Sequence, residues 1–213
     1  MNLRIKLKIN EIFYSLQGEG SDVGLPTIFI RLTGCNLRCN YCDTKYAFYE
    51  GNYMGIDEIM EEIKKWKCKR ICITGGEPLI QKGVYGLIDA LLEKNYEISI
   101  ETNGSISIFK LIKKGIKIKM DIKLPSSGMH KKMNFGNIKL LRHNDELKFV
   151  IWNREDYEYA KDIIAKYKPK CHIIMQPVWG SKIKLADWII KDELEARFSI
   201  QLHKILWGER RKK

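Results

Sequence analysis

Short runs of β-branched and aromatic residues recur along the chain, and most are followed by a stretch whose apolar positions fall three and four residues apart. Residues 27–33 (Thr-Ile-Phe-Ile-Arg-Leu-Thr) predict a strand that stops at Gly34. Ile56, Ile59, Met60, Ile63 and Trp66 then mark one face of a helix, with Glu61 four residues ahead of Lys65 on the wet side. The pattern repeats with a strand over 70–74, a helix carrying Val84, Leu87, Ile88, Leu91 and Leu92, and a strand over 97–102. A short helix over 106–113 and strands over 117–122 and 146–152 come next, before a helix carrying Ala160, Ile163, Ile164 and Tyr167. A strand over 172–175, a helix over 184–194 and a last strand over 198–202 complete the series, and residues 1–8 suit an edge strand at the other end. Strands alternating with helices over short connections predict an α/β fold with a parallel sheet, open or rolled into a barrel.

In such folds ligands sit beyond the C-terminal ends of the strands. The predicted strand ends read Gly34-Cys35, Thr74-Gly75-Gly76-Glu77-Pro78, Glu101-Thr102-Asn103-Gly104, Asp121-Ile122-Lys123 and Gln176-Pro177. Any one of these alone is an ordinary turn. Together on one rim they predict a site.

The first of these ends carries three cysteines within eight residues, Cys35, Cys39 and Cys42. That spacing wraps three thiolates around one loop, where they can hold three irons of a 4Fe-4S cluster and leave the fourth iron open to chelate a ligand. A structural zinc site is the alternative, but zinc takes a fourth Cys or His, and no second ligand pair follows downstream. Cys68, Cys72 and Cys171 stand alone and read as small buried hydrophobes.

At 213 residues and 45% apolar, the chain fills one domain over 1–213, with a short basic tail over 209–213. The N-terminus mixes charge with apolar residues and lacks the core of a signal peptide, and no stretch approaches a membrane span. Six cysteines without a secretory signal imply a reducing cytoplasm. The formal charge of +12 invites nucleic acid as a partner, yet the lysines are spread along every segment beside Glu and Asp, which is the pattern of a solvated surface. A small anionic ligand ranks above RNA.

CxxxCxxC with an aromatic, Tyr41, before its last Cys resembles the signature of radical S-adenosylmethionine (SAM) enzymes, and Gly75-Gly76-Glu77-Pro78 resembles their GGEP turn. The resemblance implies a partial (β/α)6 TIM-like barrel, trimmed of some helices in so short a chain. It implies that Gly76, with Glu77 keeping the turn in shape, holds the methionine end of SAM. By position, Asp121, Ile122 and Lys123, the segment Gln176, Pro177, Val178 and Trp179, and Tyr41 should meet the ribose and adenine. Glu101 and Asn103 either contribute or cap their strand.

A narrower resemblance comes from an ordered set: Glu11 to Gly20 (Glu-Ile-Phe-Tyr-Ser-Leu-Gln-Gly-Glu-Gly), Phe29 to Asn36, Cys42-Asp43-Thr44 and Gln201-Leu202-His203-Lys204. Together these resemble the 7-carboxy-7-deazaguanine synthases from about residue 8 to residue 208. The resemblance implies ring contraction of 6-carboxy-5,6,7,8-tetrahydropterin to 7-carboxy-7-deazaguanine with loss of ammonia, on the way to queuosine or archaeosine. A 5'-deoxyadenosyl radical takes hydrogen from C6, and SAM is regenerated. A carboxylated pterin needs a cationic fork and a hydrogen-bonding edge. Arg31 offers the fork, unless it is held in a structural ion pair. Leu16, Gln17, Gly18, Glu19, Thr74 and His203 would line the pterin.

The same resemblance places Mg2+ at Thr44 and implies flavodoxin or ferredoxin as reductant, with a homodimer covering exposed edges. Some family members end close to the substrate in a terminal carboxylate, whereas this chain runs on through Trp207 and a basic tail expected to be dispensable. The rival readings are a glycyl-radical activating enzyme and a non-catalytic iron-sulfur or zinc module that binds RNA. The Gln17-Gly18-Glu19 and His203 elements speak against the first.

Overall fold

β-branched residues dominate the strands, and alternation along each strand decides which face is wet. The computed structural model of the chain describes residues 5–212. Its elements in chain order are β1 (Lys6–Leu16), β2 (Pro26–Leu32), β3 (Asn52–Gly55), α1 (Ile56–Ile63), β4 (Arg70–Gly75), α2 (Val84–Glu93), β5 (Glu97–Thr102), α3 (Phe109–Ile112) and β6 (Lys117–Ile122). β7 (Glu146–Ile151), α4 (Arg154–Tyr167), β8 (His172–Pro177), α5 (Leu185–Lys191), β9 (Arg197–Phe198) and α6 (Leu202–Trp207) follow.

The strands form one nine-stranded sheet in the order β3-β1-β2-β4-β5-β6-β7-β8-β9. β1 pairs antiparallel with both β2 and β3, and every pairing from β2 onward is parallel. Six parallel strands, β2 and β4 to β8, are the core of a partial (β/α)6 barrel, and the sheet does not close between β3 and β9. The connection from β6 to β7 contains only 3-10 turns, so one crossover helix of the full barrel is missing.

One face of the sheet is oily and the other charged. Ile28, Ile30, Leu32, Ile71, Ile73, Ile100, Ile118, Met120, Ile122, Leu147, Phe149 and Ile151 are buried in a single core with residues of the helices, such as Ile59, Ile63, Leu87, Ile88, Tyr157 and Ile189. The alternate positions carry Arg31, Thr74, Glu101, Lys119, Asp121, Lys148 and Gln176, which line the barrel interior. A strand has a period of two, so Arg31, Lys119, Asp121 and Lys148 are each fixed to the inner face by a core residue on either side.

Three expectations are corrected. The strand expected at residues 1–8 begins at Lys6 and runs on to Leu16, and residues 1–4 lie outside the described residues. It is not an edge, because β3 covers one flank of its first half through the pairs Lys6 with Gly55 to Ile9 with Asn52. The last strand, expected over 198–202, is only the two-residue β9, and Leu202 opens α6 instead. The backbone N–H of Leu202 donates to Gly18 O at 3.0 Å and the Gln201 side chain donates to Glu19 at 2.8 Å, which draws the chain off the sheet and over the barrel mouth. The helices expected over 106–113 and 184–194 shorten to α3 and α5. Among the described residues no helix is long and apolar enough to cross a membrane.

Candidate active site

The strand ends surround one cavity of about 790 Å³. Cys35, Cys39, Cys42 and Thr44 line it from the loop after β2, with Leu16, Gln17, Gly18, Glu19, Arg31, Tyr41, Thr74, Gly76, Asp121, Lys123, Gln176, Pro177, Val178, Trp179 and His203. Two expected residues do not. The Ile122 side chain is fully buried in the core, because its neighbours Asp121 and Lys123 take the inner positions. Glu77 is also fully buried, and its carboxylate accepts from Leu79 N at 3.0 Å, Thr102 Oγ1 at 2.9 Å and Asn103 N at 2.6 Å. It therefore staples the ends of β4 and β5 together and has no face toward a cofactor.

Two glycines let that turn touch the cysteine loop. At Gly76 a Cβ would fall 2.2 Å from Gly34 O and 2.7 Å from Cys35 Cβ, and at Gly75, with φ +156°, it would fall 2.3 Å from Leu32 O. Gly18 is constrained in the same way, since a Cβ there would lie 2.0 Å from His203 Nδ1.

The three thiols are half-buried and free. Asn103 Nδ2 lies 3.8 Å and Leu37 N 3.4 Å from Cys35 Sγ, the kind of N–H donors that cluster sulfurs accept. Among the described residues no three His, Cys, Asp or Glu side chains converge as a single bound ion would require. The donor set fits a 4Fe-4S cube, whose irons are spread apart, better than it fits zinc. Around the rim, Asp121 Oδ1 and Gln176 Oε1 are buried with no hydrogen-bond partner among the described residues. Both are acceptors, and both fit the hydroxyl and amino donors of a nucleoside. The Tyr41 hydroxyl donates to Val150 O at 3.2 Å, and its ring stacks on Trp152.

The opposite wall is built of paired charges. Arg31 Nε donates to Glu11 Oε1 at 2.8 Å, and the Tyr46 hydroxyl donates to the same oxygen at 3.2 Å. The two terminal nitrogens of Arg31 donate no hydrogen bond to the described residues, so the ion pair and the free fork coexist. Gln17 uses its carbonyl to accept from Gly18 N and Glu19 N and aims its amide at Glu101 and Cys72 Sγ, which makes it the organiser of the 17–19 loop. Thr74 Oγ1 donates to Glu101 Oε2 at 2.8 Å.

Glu19 accepts from Lys148 Nζ at 2.7 Å, Gln201 Nε2 at 2.8 Å and Gln176 Nε2 at 3.3 Å. Burial alone would raise the Glu19 carboxyl, but Lys148, with help from Gln201, holds it down to about 2. Lys148 also lies 3.8 Å from Asp121, which Lys123 grips at 2.8 Å. Asp43 likewise stays well below the usual carboxylate range despite burial, because Lys204 donates to it at 2.7 Å. Thr44 Oγ1 donates to the other Asp43 oxygen at 2.9 Å and accepts no hydrogen bond from the described residues. Burial lowers the His203 pKa, so its imidazole is neutral at pH 7.

Sequence reasoning missed Lys119, Lys148 and the acceptor Glu11. The signal was present in the alternation of Lys117, Lys119 and Asp121 with Ile118, Met120 and Ile122, since charge at every second position of an interior parallel strand has to face a polar space. The tail, expected to be dispensable, lies beside the site. Residues 208–212 line the cavity mouth, and Arg211 lies over the Tyr46 ring at 3.9 Å.

Residues 29–142 match the Radical SAM superfamily model. The fold agrees, for the crystal structure of QueE from Escherichia coli superposes with a TM-score of 0.79 at 24% identity, covering 93% of this chain and 95% of that one. Streptococcus suis SuiB, solved bound to S-adenosylmethionine, superposes with a TM-score of 0.55 at 15% identity over 79% of this chain and 45% of its own. Fold and cysteine loop thus define a radical SAM enzyme.

Whole-chain relatives narrow the class. The 7-carboxy-7-deazaguanine synthase of Thermoplasma acidophilum is 39% identical over 203 residues, 94% of this chain and 97% of that protein. Those of Methanospirillum hungatei and Clostridium acetobutylicum are 42% and 39% identical, each over 94% of this chain and over 85% and 96% of their own lengths. The chain belongs to the 7-carboxy-7-deazaguanine synthase family.

The Glu19–Lys148 pair generates an acid-stability prediction. Because the folded pKa of Glu19 lies below its ordinary value of 4.5, its contribution is complete above about pH 4.5 and is lost as pH falls toward about 2. Lys148→Met should therefore destabilise the fold at pH 7, and the gap to the parent should narrow steadily below pH 4.5. Denaturant midpoints measured from pH 7 to 2.5 check this; a gap independent of pH would show that the pair does not set the titration.

Proposed function

We propose that the protein contracts the ring of 6-carboxy-5,6,7,8-tetrahydropterin to 7-carboxy-7-deazaguanine with loss of ammonia, supplying the deazapurine bases queuosine or archaeosine of transfer RNA. The observation that carries this reading is a single cavity lined both by three cluster-type cysteines and by a fork, an anion and a neutral imidazole, Arg31, Glu19 and His203. A 4Fe-4S cluster held by Cys35, Cys39 and Cys42, with SAM beside it, would supply the radical chemistry of the reaction.

Every other role belongs to the chain. Arg31 aims its terminal nitrogens at the substrate carboxylate while Glu11 holds Nε, so the fork is oriented before the ligand arrives. Glu19, kept anionic by Lys148, accepts hydrogen bonds from the amine and amide N–H groups of the pterin edge. Gln17 fixes the loop carrying Leu16 and Gly18 rather than spending its amide on substrate. His203, neutral and packed on Gly18, can give or take one hydrogen bond at the same edge.

Gly75 and Gly76 line the cavity beside the cysteine loop, where the methionine end of SAM would lie, and the unpartnered Asp121 and Gln176 oxygens suit its ribose and base. Mg2+ at Thr44 is part of this reading. The hydroxyl would share the ion with the substrate carboxylate and water, an all-oxygen set that magnesium prefers. A flavodoxin or ferredoxin as reductant, a cytoplasmic setting and a homodimer belong to it too. Exposed Ile190, Phe198 and Ile200 beside the β9 edge support the last.

The deciding experiment is an anaerobic assay of reconstituted protein with SAM, reductant and carboxypterin. It should yield 7-carboxy-7-deazaguanine, and 5'-deoxyadenosine formed equally with and without the pterin would sink the reading. Single Ala substitutions at Cys35, Cys39 or Cys42 should abolish the iron-sulfur absorbance and turnover, whereas Cys68, Cys72 and Cys171 variants keep the cluster. Stoichiometric zinc with full activity in air would contradict this.

Thr44→Ala should weaken the dependence on Mg2+ with the cluster intact, and activity indifferent to magnesium chelation refutes the site. Arg31→Ala should cost about 2 to 5 kcal/mol of substrate binding and Arg31→Lys should recover only part of it, because an ammonium cannot make the parallel pair. Unchanged affinity in Arg31→Ala would move the substrate elsewhere.

A further inference from the structure

We propose that Arg211 is a substrate-positioning residue that supplies the second cation of a two-guanidinium cradle for the substrate carboxylate. The inference rests on the carboxypterin reading above and extends it to a segment that composition alone assigns to solvent. Gly208, at φ +66°, ends α6 and turns the chain back, so that residues 208–212 lie across the cavity mouth.

Arg211 is the anchor of this strap. Its Nη1 donates to Glu50 Oε2 at 3.0 Å, its guanidinium lies 3.9 Å from the centre of the Tyr46 ring, and its Nε is 3.8 Å from Glu11 Oε2. The other Glu11 oxygen is the one held by Arg31 and Tyr46. Two guanidiniums therefore flank the two oxygens of one carboxylate whose side chain is 1% exposed. Glu11 Oε2 has no hydrogen bond among the described residues, so Arg211 is the cation beside it.

The charges explain why a second cation is useful. Glu11 orients Arg31, but the pair carries no net charge and offers an incoming anion little attraction. Arg211 adds a second positive charge beside that pair, and because its own partner Glu50 is 56% exposed and screened by water, the charge is only partly offset for an incoming carboxylate. Arg211 is still 44% exposed at its side chain, which leaves its remaining nitrogen free to reach the ligand, and the Tyr46 ring holds the guanidinium plane in place.

The test uses full-length protein and the fluorescent oxidised probe 6-carboxypterin, with unsubstituted pterin as the ligand that lacks the carboxylate. Intact protein should prefer the carboxylated probe, and Arg211→Ala should bind it about tenfold more weakly while binding unsubstituted pterin as before. Arg211→Glu should weaken the carboxylated probe further, and thermal denaturation of both variants should match the parent. A parent that shows no preference for 6-carboxypterin overturns the substrate reading itself. A parent that prefers it, with Arg211→Ala and Arg211→Glu keeping the full preference, overturns the cradle and leaves the substrate reading standing.

Discussion

The site depends on one close contact, the packing of Gly75 and Gly76 against the backbone of Leu32, Gly34 and Cys35, where no side chain has room. Parallel pairing brings Leu32 of β2 opposite Gly75 of β4, and Glu77 N donates to Gly34 O at 2.8 Å just beyond it. The buried Glu77 carboxylate then ties the end of β5 to the same point, and Asn103 reaches back to Cys35 and Asn36. Three strand ends and the cysteine loop are thus fixed as one rigid unit, which is what a cofactor needs if its reactive carbon is to meet a substrate atom and nothing else.

The second constraint is electrostatic. A barrel interior lined with Glu19, Arg31, Glu101, Asp121, Lys119, Lys123 and Lys148 is costly to desolvate, and an unpaired buried charge typically costs several kcal/mol. Pairing removes most of that cost: Arg31 with Glu11, Lys148 with Glu19 and Asp121, Lys123 with Asp121, and Lys204 with Asp43. Asp121 Oδ1, Gln176 Oε1 and the terminal nitrogens of Arg31, all on residues that line the cavity, are among the groups left without hydrogen-bond partners in the described residues. Stability and recognition are divided between atoms of the same side chains.

Much of this was legible in the sequence. The runs Glu97–Thr102 and Lys117–Ile122 are the observed strands because β-branched residues and turn signals bound them on both sides. The strand-end motifs gave the rim, and of the site residues the family resemblance named, all but Glu77 and Ile122 line the cavity. What the sequence concealed was direction and long-range capture. Ile122 and Glu77 sit between site residues in the chain, yet one points into the core and the other into a staple between strands. The last strand was lost to contacts made by Gln201 and Leu202 with residues nearly two hundred positions away, and the tail's return to Glu11 depends on the same non-local geometry. No local pattern encodes such contacts.

The account's central claim is that the cluster loop and the charged wall serve one cavity in which cofactor and pterin meet. An anaerobic crystal structure of reconstituted protein with SAM and the carboxypterin tests it most directly. The account predicts a cluster held by Cys35, Cys39 and Cys42 alone, SAM against Gly76, and the pterin between Glu19 and Arg31 with its carboxylate on the guanidinium. A fourth protein ligand on the cluster, or a pterin bound outside this cavity, would contradict it.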